Sequence, residues 1–242
     1  MKKHLFLLLV LAALVAGGVF GQNRSEPNPD SDFQFDAKTG TITKYVGTDK
    51  RCVVPEAIGG VPVAAIGGGY PGAFTDNKIV TQVVLPPSVV SIGDRAFKNS
   101  SLEYITVQGR LKSIGTEAFA GTNLKNFISS WPDDSNGILK VPNGLHRDSK
   151  LAKDLVLPKN ITEIGDFAFA GTQITSVTLP ATLNRIGASA FNNCKQLTTV
   201  TVPSSVKSLI FGNGSFSGTA LNAASKKALL DRGAPDKEAA FK

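Results

Sequence analysis

Few residues of this 242-residue chain have the type and spacing that catalysis or metal binding requires. There are two histidines, His4 and His146, and two cysteines, Cys52 and Cys194. A nucleophilic site needs a nucleophile, a base and an orienting group that converge, and a zinc site needs several close ligands. The sequence therefore predicts a protein that is not an enzyme, with no catalytic residue, no metal site and no cofactor.

Two short segments resemble ligand-binding motifs only in part. Gly67-Gly68-Gly69 has neither a following lysine nor a helix start, so it predicts a loop rather than a phosphate site. The run Asp133–Gly137 suggests calcium, but the EF-hand spacing would place the first oxygen ligand at Pro132. We therefore expect a plain turn there.

The first 21 residues have the pattern of a secretory signal peptide. A basic start, Met1–His4, precedes an apolar run, Leu5–Ala16, and a small-residue stretch that ends at Gly21. The apolar run is short for a membrane span, although an uncleaved anchor is the alternative. We expect an exported, soluble protein in the periplasm, at the cell surface or outside the cell, whose net charge of +7 falls to +5 without Lys2 and Lys3.

An internal repeat decides the fold. The pattern is IGxxAF, a short gap, LxxVxLP, two residues, an aliphatic residue and IG again. Its Ile-Gly pairs start at positions 66, 92, 114, 164 and 186, spaced by 26, 22, 50 and 22 residues. A unit of about 22 residues cannot bury its own apolar side, so successive units must stack as coils of a solenoid.

Each position of the repeat has a physical role. LxxVxL points alternate side chains of a short strand inward, and Pro180 and Pro203 end their strands. We expect the glycine after isoleucine to supply a positive φ at a tight corner. The phenylalanines of successive coils should stack as one column along the axis: Phe74, Phe97, Phe119, Phe169, Phe191 and Phe216.

The IG, AF and LP sets resemble the leucine-rich repeats of BspA-like bacterial surface proteins, over about Val63 to Gly218. The resemblance implies a curved solenoid with a parallel sheet, an extracellular or envelope location and, in some members, adhesion to host matrix proteins. We thus predict a mainly β fold with an α+β margin: a leucine-rich-repeat solenoid of about 22-residue coils, with an N-terminal hairpin cap and a C-terminal helix cap.

The domain organisation follows from these elements. We predict a signal peptide (1–21), a flexible linker (22–32), an N-terminal cap (33–62), leucine-rich repeats (63–218) and a C-terminal cap (219–242). Coils about 4.8 Å apart would hold Cys52 and Cys194 on the order of 20–30 Å from each other, beyond disulfide reach. We expect both thiols to be unpaired and Cys194 to be buried at a turn.

The repeat breaks in one segment, residues 128–150, which is either a degenerate coil or an excursion loop. It contains the one tryptophan, Trp131, together with His146, Arg147 and Lys150. Exposed tryptophan and arginine often anchor protein interfaces, so Trp131, Arg147 and Lys150 are candidate partner-binding residues; the alternative is that Trp131 covers a coil edge. We expect His146 to be a solvated loop residue.

The outward side of the LxxVxLP strands is a second candidate surface. Its exposed positions are rich in threonine, and Tyr104 is the aromatic residue among them, which makes it a fourth candidate partner-binding residue. Basic residues are scattered and aromatic residues are few, so we expect no nucleic-acid partner. We also expect no membrane span after cleavage.

Together, these features predict an exported protein-binding module. A surface adhesin for host extracellular-matrix proteins is the first hypothesis. A periplasmic interaction or structural protein with an endogenous envelope partner is the second hypothesis. Protease added to intact cells would distinguish them, because it reaches only a surface protein.

Overall fold

The computed structural model describes residues 26–125, 140–233 and 237–242. The predicted leader and Trp131 lie outside these ranges. In chain order the elements are β1 (Phe33–Asp36), β2 (Thr41–Tyr45), β3 (Arg51–Val53), β4 (Ala57–Ile58), β5 (Val61–Pro62), β6 (Ala65–Ile66), β7 (Gln82–Leu85), β8 (Ser91–Ile92), β9 (Tyr104–Val107), β10 (Ser113–Ile114), β11 (Lys140–Val141), β12 (Ala152–Val156), β13 (Glu163–Ile164), β14 (Gln173–Thr178), β15 (Arg185–Ile186), β16 (Thr199–Thr201), β17 (Ile210–Phe211) and α1 (Ala223–Leu230), with short 3-10 helices at Asp30–Asp32 and Lys237–Phe241.

The strands form two parallel rows along a mainly β solenoid of about seven turns, each of about 23 residues. We call the row that contains the Ile-Gly strands the first row; its sheets are β1-β2-β6-β8-β10, in which β1 is antiparallel to β2, and β11-β13-β15-β17. The LxxVxLP strands are the second row, which contains the sheets β3-β7-β9 and β12-β14-β16. The predicted leucine-rich-repeat solenoid with its hairpin and helix caps is confirmed.

Strand register keeps equivalent residues of successive coils in line. In the second row Leu155 pairs with Val177 and Val177 with Val200, and all three side chains are buried. In the first row Ile164 pairs with Ile186, also buried. Because the side-chain period of a strand is two, the residues between them face outward, and each coil repeats the same inside and outside.

An aromatic column runs through the core. The six predicted phenylalanines are each at most 1% exposed, and they stack with neighbouring rings of the column at centroid distances of 4.8–5.9 Å. Four further rings complete the column: Phe33 and Tyr45 at the N-terminal end, His146 in the middle and Phe241 at the C-terminal end. The predicted column is therefore confirmed and is longer than the sequence indicated.

The expectation for the glycine after isoleucine is wrong in its physical cause. Glycines at this position do not have positive φ; the left-handed residues lie two positions further on, as at Glu117 and Phe167. The glycine is needed because neighbouring coils approach closely: a Cβ on Gly165 would lie 2.6 Å from the Val141 carbonyl oxygen. Close approach, rather than backbone freedom, selects glycine here.

Gly165→Ala should therefore destabilise the protein by about 1–3 kcal/mol, the usual range for an overpacked core. Gly214→Asn is the matched control. Gly214 has a φ of 64°, which asparagine tolerates, and the nearest atom to a Cβ at this position would be 3.6 Å away. Urea unfolding would measure both variants. Equal midpoints for the parent and Gly165→Ala would contradict the close-approach explanation.

Both cysteines are free and buried, as predicted. The Cys194 sulfur lies 3.3 Å from the Thr172 hydroxyl and 3.1 Å from the Phe169 carbonyl oxygen. Thr172 itself donates to that carbonyl oxygen at 2.7 Å. Burial raises the pKa of Cys194 to about 11, so this thiol is protonated at neutral pH and serves as a small packing residue.

Both ends of the solenoid are covered. At the N-terminal end β1 pairs antiparallel with β2, and Asn28 exchanges hydrogen bonds with the backbone of Val53 on the edge strand β3. At the C-terminal end α1 packs on β16, where the Ser225 hydroxyl accepts from the Val200 amide at 2.9 Å. The final 3-10 helix accepts hydrogen bonds from the last coil, including Phe216 N to Ala240 O at 2.7 Å.

Within segment 128–150, residues 140–150 follow the coil pattern. β11 pairs parallel with β13, and the Gly165 amide donates to the Val141 carbonyl as in other coils. His146 donates its amide to the Ala168 carbonyl at 2.8 Å. This part of the segment is a coil whose Ile-Gly and Ala-Phe motifs have been replaced; the remainder, 128–139, lies outside the described residues.

Candidate binding surfaces

His146 is not a solvated loop residue, contrary to the sequence expectation. It is 0% exposed and occupies the phenylalanine position of its coil, between Phe119 at 5.7 Å and Phe169 at 5.9 Å. Burial lowers its pKa from 6.5 to about 3, so the ring is neutral at physiological pH. In this position it cannot reach a substrate as a surface base.

Tyr104 lies on the second row, as the outward residue of β9 next to the buried Ile105. Its side chain is 46% exposed. Lys125 of the next coil extends back over it, with Nζ 5.2 Å from the ring centroid and 2.9 Å from the Glu103 carboxylate. This hydrogen bond raises the pKa of Lys125. The cation and the carboxylate hold the tyrosine ring as part of an ordered surface.

Further along the second row the outward surface is polar and flat. Asp154 accepts a hydrogen bond from the Ser176 hydroxyl at 2.6 Å, across two adjacent coils. Val156 is 61% exposed, and Thr178 and Thr201 continue its line on β14 and β16. The outward face of the second row, which we call the strand face, therefore combines an aromatic residue, an apolar residue and hydroxyl groups.

Arg147 and Lys150 lie together on the turn that follows His146, a different side of the solenoid from Tyr104. The Arg147 guanidinium lies 3.4 Å from Glu117 and 3.4 Å from Asp148, and Lys150 is exposed. Glu117 also accepts from Lys98 at 2.7 Å and Arg95 at 3.0 Å. The hydrogen bond from Lys98 above all holds the pKa of Glu117 below its ordinary value.

The structure thus separates the predicted site residues into two places. Tyr104 belongs to the strand face, whereas Arg147 and Lys150 belong to the turn two coils later. Trp131 lies outside the described residues. No single cleft among the described residues brings the candidates together.

An open cleft of about 350 Å³ lies beside the first row between β10 and β11. Its walls are formed by Asp94, Ile114, Gly115, Thr116, Lys140, Pro142 and Asn143. The Asp94 carboxylate already accepts from the Thr116 amide at 2.8 Å, which is the coil-to-coil contact that Asp166 repeats with Ala188. Its polar groups therefore serve the solenoid itself.

The ion pairs on these surfaces were not predicted from the sequence. Glu103 and Lys125 are 22 positions apart, and so are Arg95 and Glu117. Opposite charges one repeat period apart lie on neighbouring coils at the same position. A comparison of charged residues 22 positions apart in the sequence would have predicted both pairs.

In the described part of the chain, no group of three or more histidine, cysteine, aspartate or glutamate residues could hold a metal ion. Over the same residues, no helix has the length and apolar character needed to cross a bilayer.

The coils, the paired rows and the stacked rings define a leucine-rich-repeat solenoid. Residues 70–135 and 135–228 match the BspA type leucine rich repeat region, in six copies. The chain therefore belongs to the BspA-type leucine-rich repeat family. Proteins of this family are typically surface or secreted bacterial proteins, and leucine-rich repeat proteins are typically binding modules without enzymatic activity.

Solved structures agree with this assignment. The crystal structure of the T. pallidum leucine-rich repeat protein is 25% identical, with a TM-score of 0.70, and the match covers 86% of this chain and 98% of that one. A leucine-rich cell surface protein from Faecalibacterium prausnitzii shares the fold at 22% identity and a TM-score of 0.50, over 83% of this chain and 76% of its own. No curated protein sequence matches the chain.

Proposed function

We propose that the protein is an exported binding module whose ligand is a protein, and that host extracellular-matrix proteins are the ligand class. The observation that carries the proposal is the strand face, where Tyr104 is exposed yet held in place by Lys125 and Glu103. An ordered aromatic ring keeps little conformational entropy to lose on binding, which suits an interface anchor. The signal-peptide pattern supports export.

The strand face is preferred to the turn that contains Arg147. The Arg147 guanidinium already lies between two carboxylates, so a ligand would have to compete with them. Tyr104 instead presents an exposed ring on β9, in the same row as the exposed Val156 and the threonine positions of β12, β14 and β16. A flat row of this kind suits an extended segment of a protein ligand.

Tyr104→Ala should weaken binding to a matrix ligand at least tenfold, because the ring is the principal anchor of the strand face. The measurement is saturation binding of residues 22–242 to fibronectin, laminin, fibrinogen and collagen at physiological salt. Tyr70→Ala is the matched control, since Tyr70 is a tyrosine 90% exposed on the glycine-rich insertion, away from the second row.

A Trp131→Ala/Arg147→Ala variant tests the other candidate surface. Loss of binding in this variant with Tyr104→Ala unaffected would move the site to segment 128–150. Absence of binding to all four ligands would favour the second hypothesis, an endogenous envelope partner. Removal of the protein from intact cells by added protease would then decide between surface and periplasm.

A further inference from the structure

Positive charge collects on one side of the solenoid, formed by the first row and the turn that precedes each of its strands. In its described segments from β10 onward, residues 108–114, 140–141, 158–164, 180–186 and 203–211, there are six basic residues and one acidic residue, Glu163. We call the six the cation ladder: Arg110, Lys112, Lys140, Lys159, Arg185 and Lys207. In the sequence they look scattered because 19 to 28 residues separate the cations of successive coils, but the solenoid brings them to one side.

The ladder has at least one cation on each of five successive coils. Lys140 of β11 pairs in register with Glu163, and Glu163 pairs with Arg185. The Glu163 carboxylate accepts from Lys140 Nζ at 2.9 Å and lies 3.3 Å from Arg185 Nε, so it holds a cation on either side. Within the sheet β11-β13-β15-β17 adjacent strands are about 4.8 Å apart, so the backbones of Lys140 and Arg185 lie about 10 Å from each other with Glu163 between them.

The outer cations lie on the same side of the solenoid and face solvent. The Lys112 amide donates to the Val90 carbonyl of the preceding coil, as the Asn184 amide does to Thr162. The Thr182 hydroxyl donates to the Lys159 carbonyl at 2.7 Å, which places Lys159 beside the next turn. Lys112, Lys159 and Lys207 are all exposed.

The excess of positive charge is larger on this side. On the second-row strands, with Glu103 and Lys125 beside them, three basic residues (Arg51, Lys125 and Lys153) accompany two acidic residues (Glu103 and Asp154). A uniformly basic protein would show the excess on both rows. The imbalance on the first row therefore points to an anionic ligand that lies along it.

The chemistry of the ladder favours a polysaccharide over a protein or a nucleic acid. Its one large exposed apolar side chain in the described segments is Ile210, whereas protein interfaces are built on apolar and aromatic anchors. Single-stranded nucleic acids need stacking rings, and this side exposes no aromatic residue among the described segments. Ammonium and guanidinium groups on successive coils match sulfates and carboxylates that repeat along a stiff chain.

We propose that the cation ladder binds a linear sulfated polysaccharide laid parallel to the solenoid axis. The sulfate groups accept hydrogen bonds from the lysine and arginine side chains of successive coils. This site lies on the first row and is independent of the protein-binding site proposed on the second row.

The test is binding of heparin to the purified protein by isothermal titration calorimetry at physiological salt. A triple variant, Lys112→Gln/Lys159→Gln/Lys207→Gln, removes three exposed ladder cations. The control triple, Lys50→Gln/Lys153→Gln/Lys195→Gln, removes three exposed lysines on or beside the second row and changes the net charge equally. Thermal unfolding of each variant shows that the solenoid is intact.

We expect the ladder variant to lose at least tenfold in heparin affinity and the control variant less than twofold. We also expect desulfated heparin to bind far more weakly than heparin. Equal losses in both variants would show attraction by net charge only and overturn the proposal, as would no heparin binding by the parent at physiological salt. Tighter binding to a DNA duplex or to polyglutamate than to heparin would also overturn it.

Discussion

Phe169→Ala is expected to lower the free energy of unfolding by about 3–5 kcal/mol. Phe169 is 0% exposed and stacks between His146 at 5.9 Å and Phe191 at 5.3 Å. Truncation removes a large buried side chain and leaves a cavity between two coils that the rigid hydrogen-bonded rows cannot close. Both neighbouring rings lose one stacking partner. The measurement is urea unfolding followed by circular dichroism.

Phe167→Ala is the matched control, two residues away in the same coil. The Phe167 ring is 44% exposed, and its backbone is left-handed, so its removal relieves a bulky side chain at an unfavourable φ. We expect a change within about 1 kcal/mol. If both variants unfold at the parent midpoint, the column is not what stabilises the coil stack.

His146→Phe is expected to make the protein less sensitive to acid. The folded protein keeps His146 neutral down to a pKa of about 3, whereas the unfolded chain protonates near 6.5. Below about pH 6.5 the unfolded state therefore binds a proton that the folded state excludes. Stability should fall by about 1.4 kcal/mol per pH unit from that point towards the folded pKa, and it should not depend on this group at higher pH.

The measurement is the free energy of unfolding of both proteins at pH 7.5 and pH 5.0. We expect the parent to lose about 2 kcal/mol more than His146→Phe over this interval. Phe97→His is the reciprocal variant, because Phe97 is 0% exposed in the same column and a histidine there should add a second loss of the same sign. Identical pH dependence in the parent and His146→Phe would exclude His146 as the source.

The periodic sequence was sufficient to predict the solenoid and the core. IGxxAF and LxxVxLP recur on a period that only stacked coils can satisfy, so the inward residues of both rows follow directly. The column was predicted wherever the motif keeps its phenylalanine. Phe33, Tyr45, His146 and Phe241 were not predicted because they lie outside the repeat motif, whereas the column requires only a planar ring at the equivalent position.

The errors share a physical origin. The role of Gly165 depends on the distance to the adjacent coil, which a single repeat does not contain. His146 looked solvated because its segment has lost Ile-Gly and Ala-Phe, yet Val141 and Leu145 fill the same inward positions. Surface pairs such as Glu103 and Lys125 also form only between coils. The sequence of one repeat predicts which residues of a coil face the core. Contacts between two coils are predicted only when residues one repeat period apart are compared.

The capped ends of the solenoid affect how copies of this protein can associate. An open solenoid end would present unpaired amide and carbonyl groups, on which a second chain could continue the strands. Here Asn28 forms hydrogen bonds with the Val53 backbone at one end. At the other end, Ser225 and the final 3-10 helix accept hydrogen bonds from backbone amides of the last coils. These caps oppose the addition of a second copy at the covered strand edges. Self-association through the lateral faces would compete with ligands for those faces.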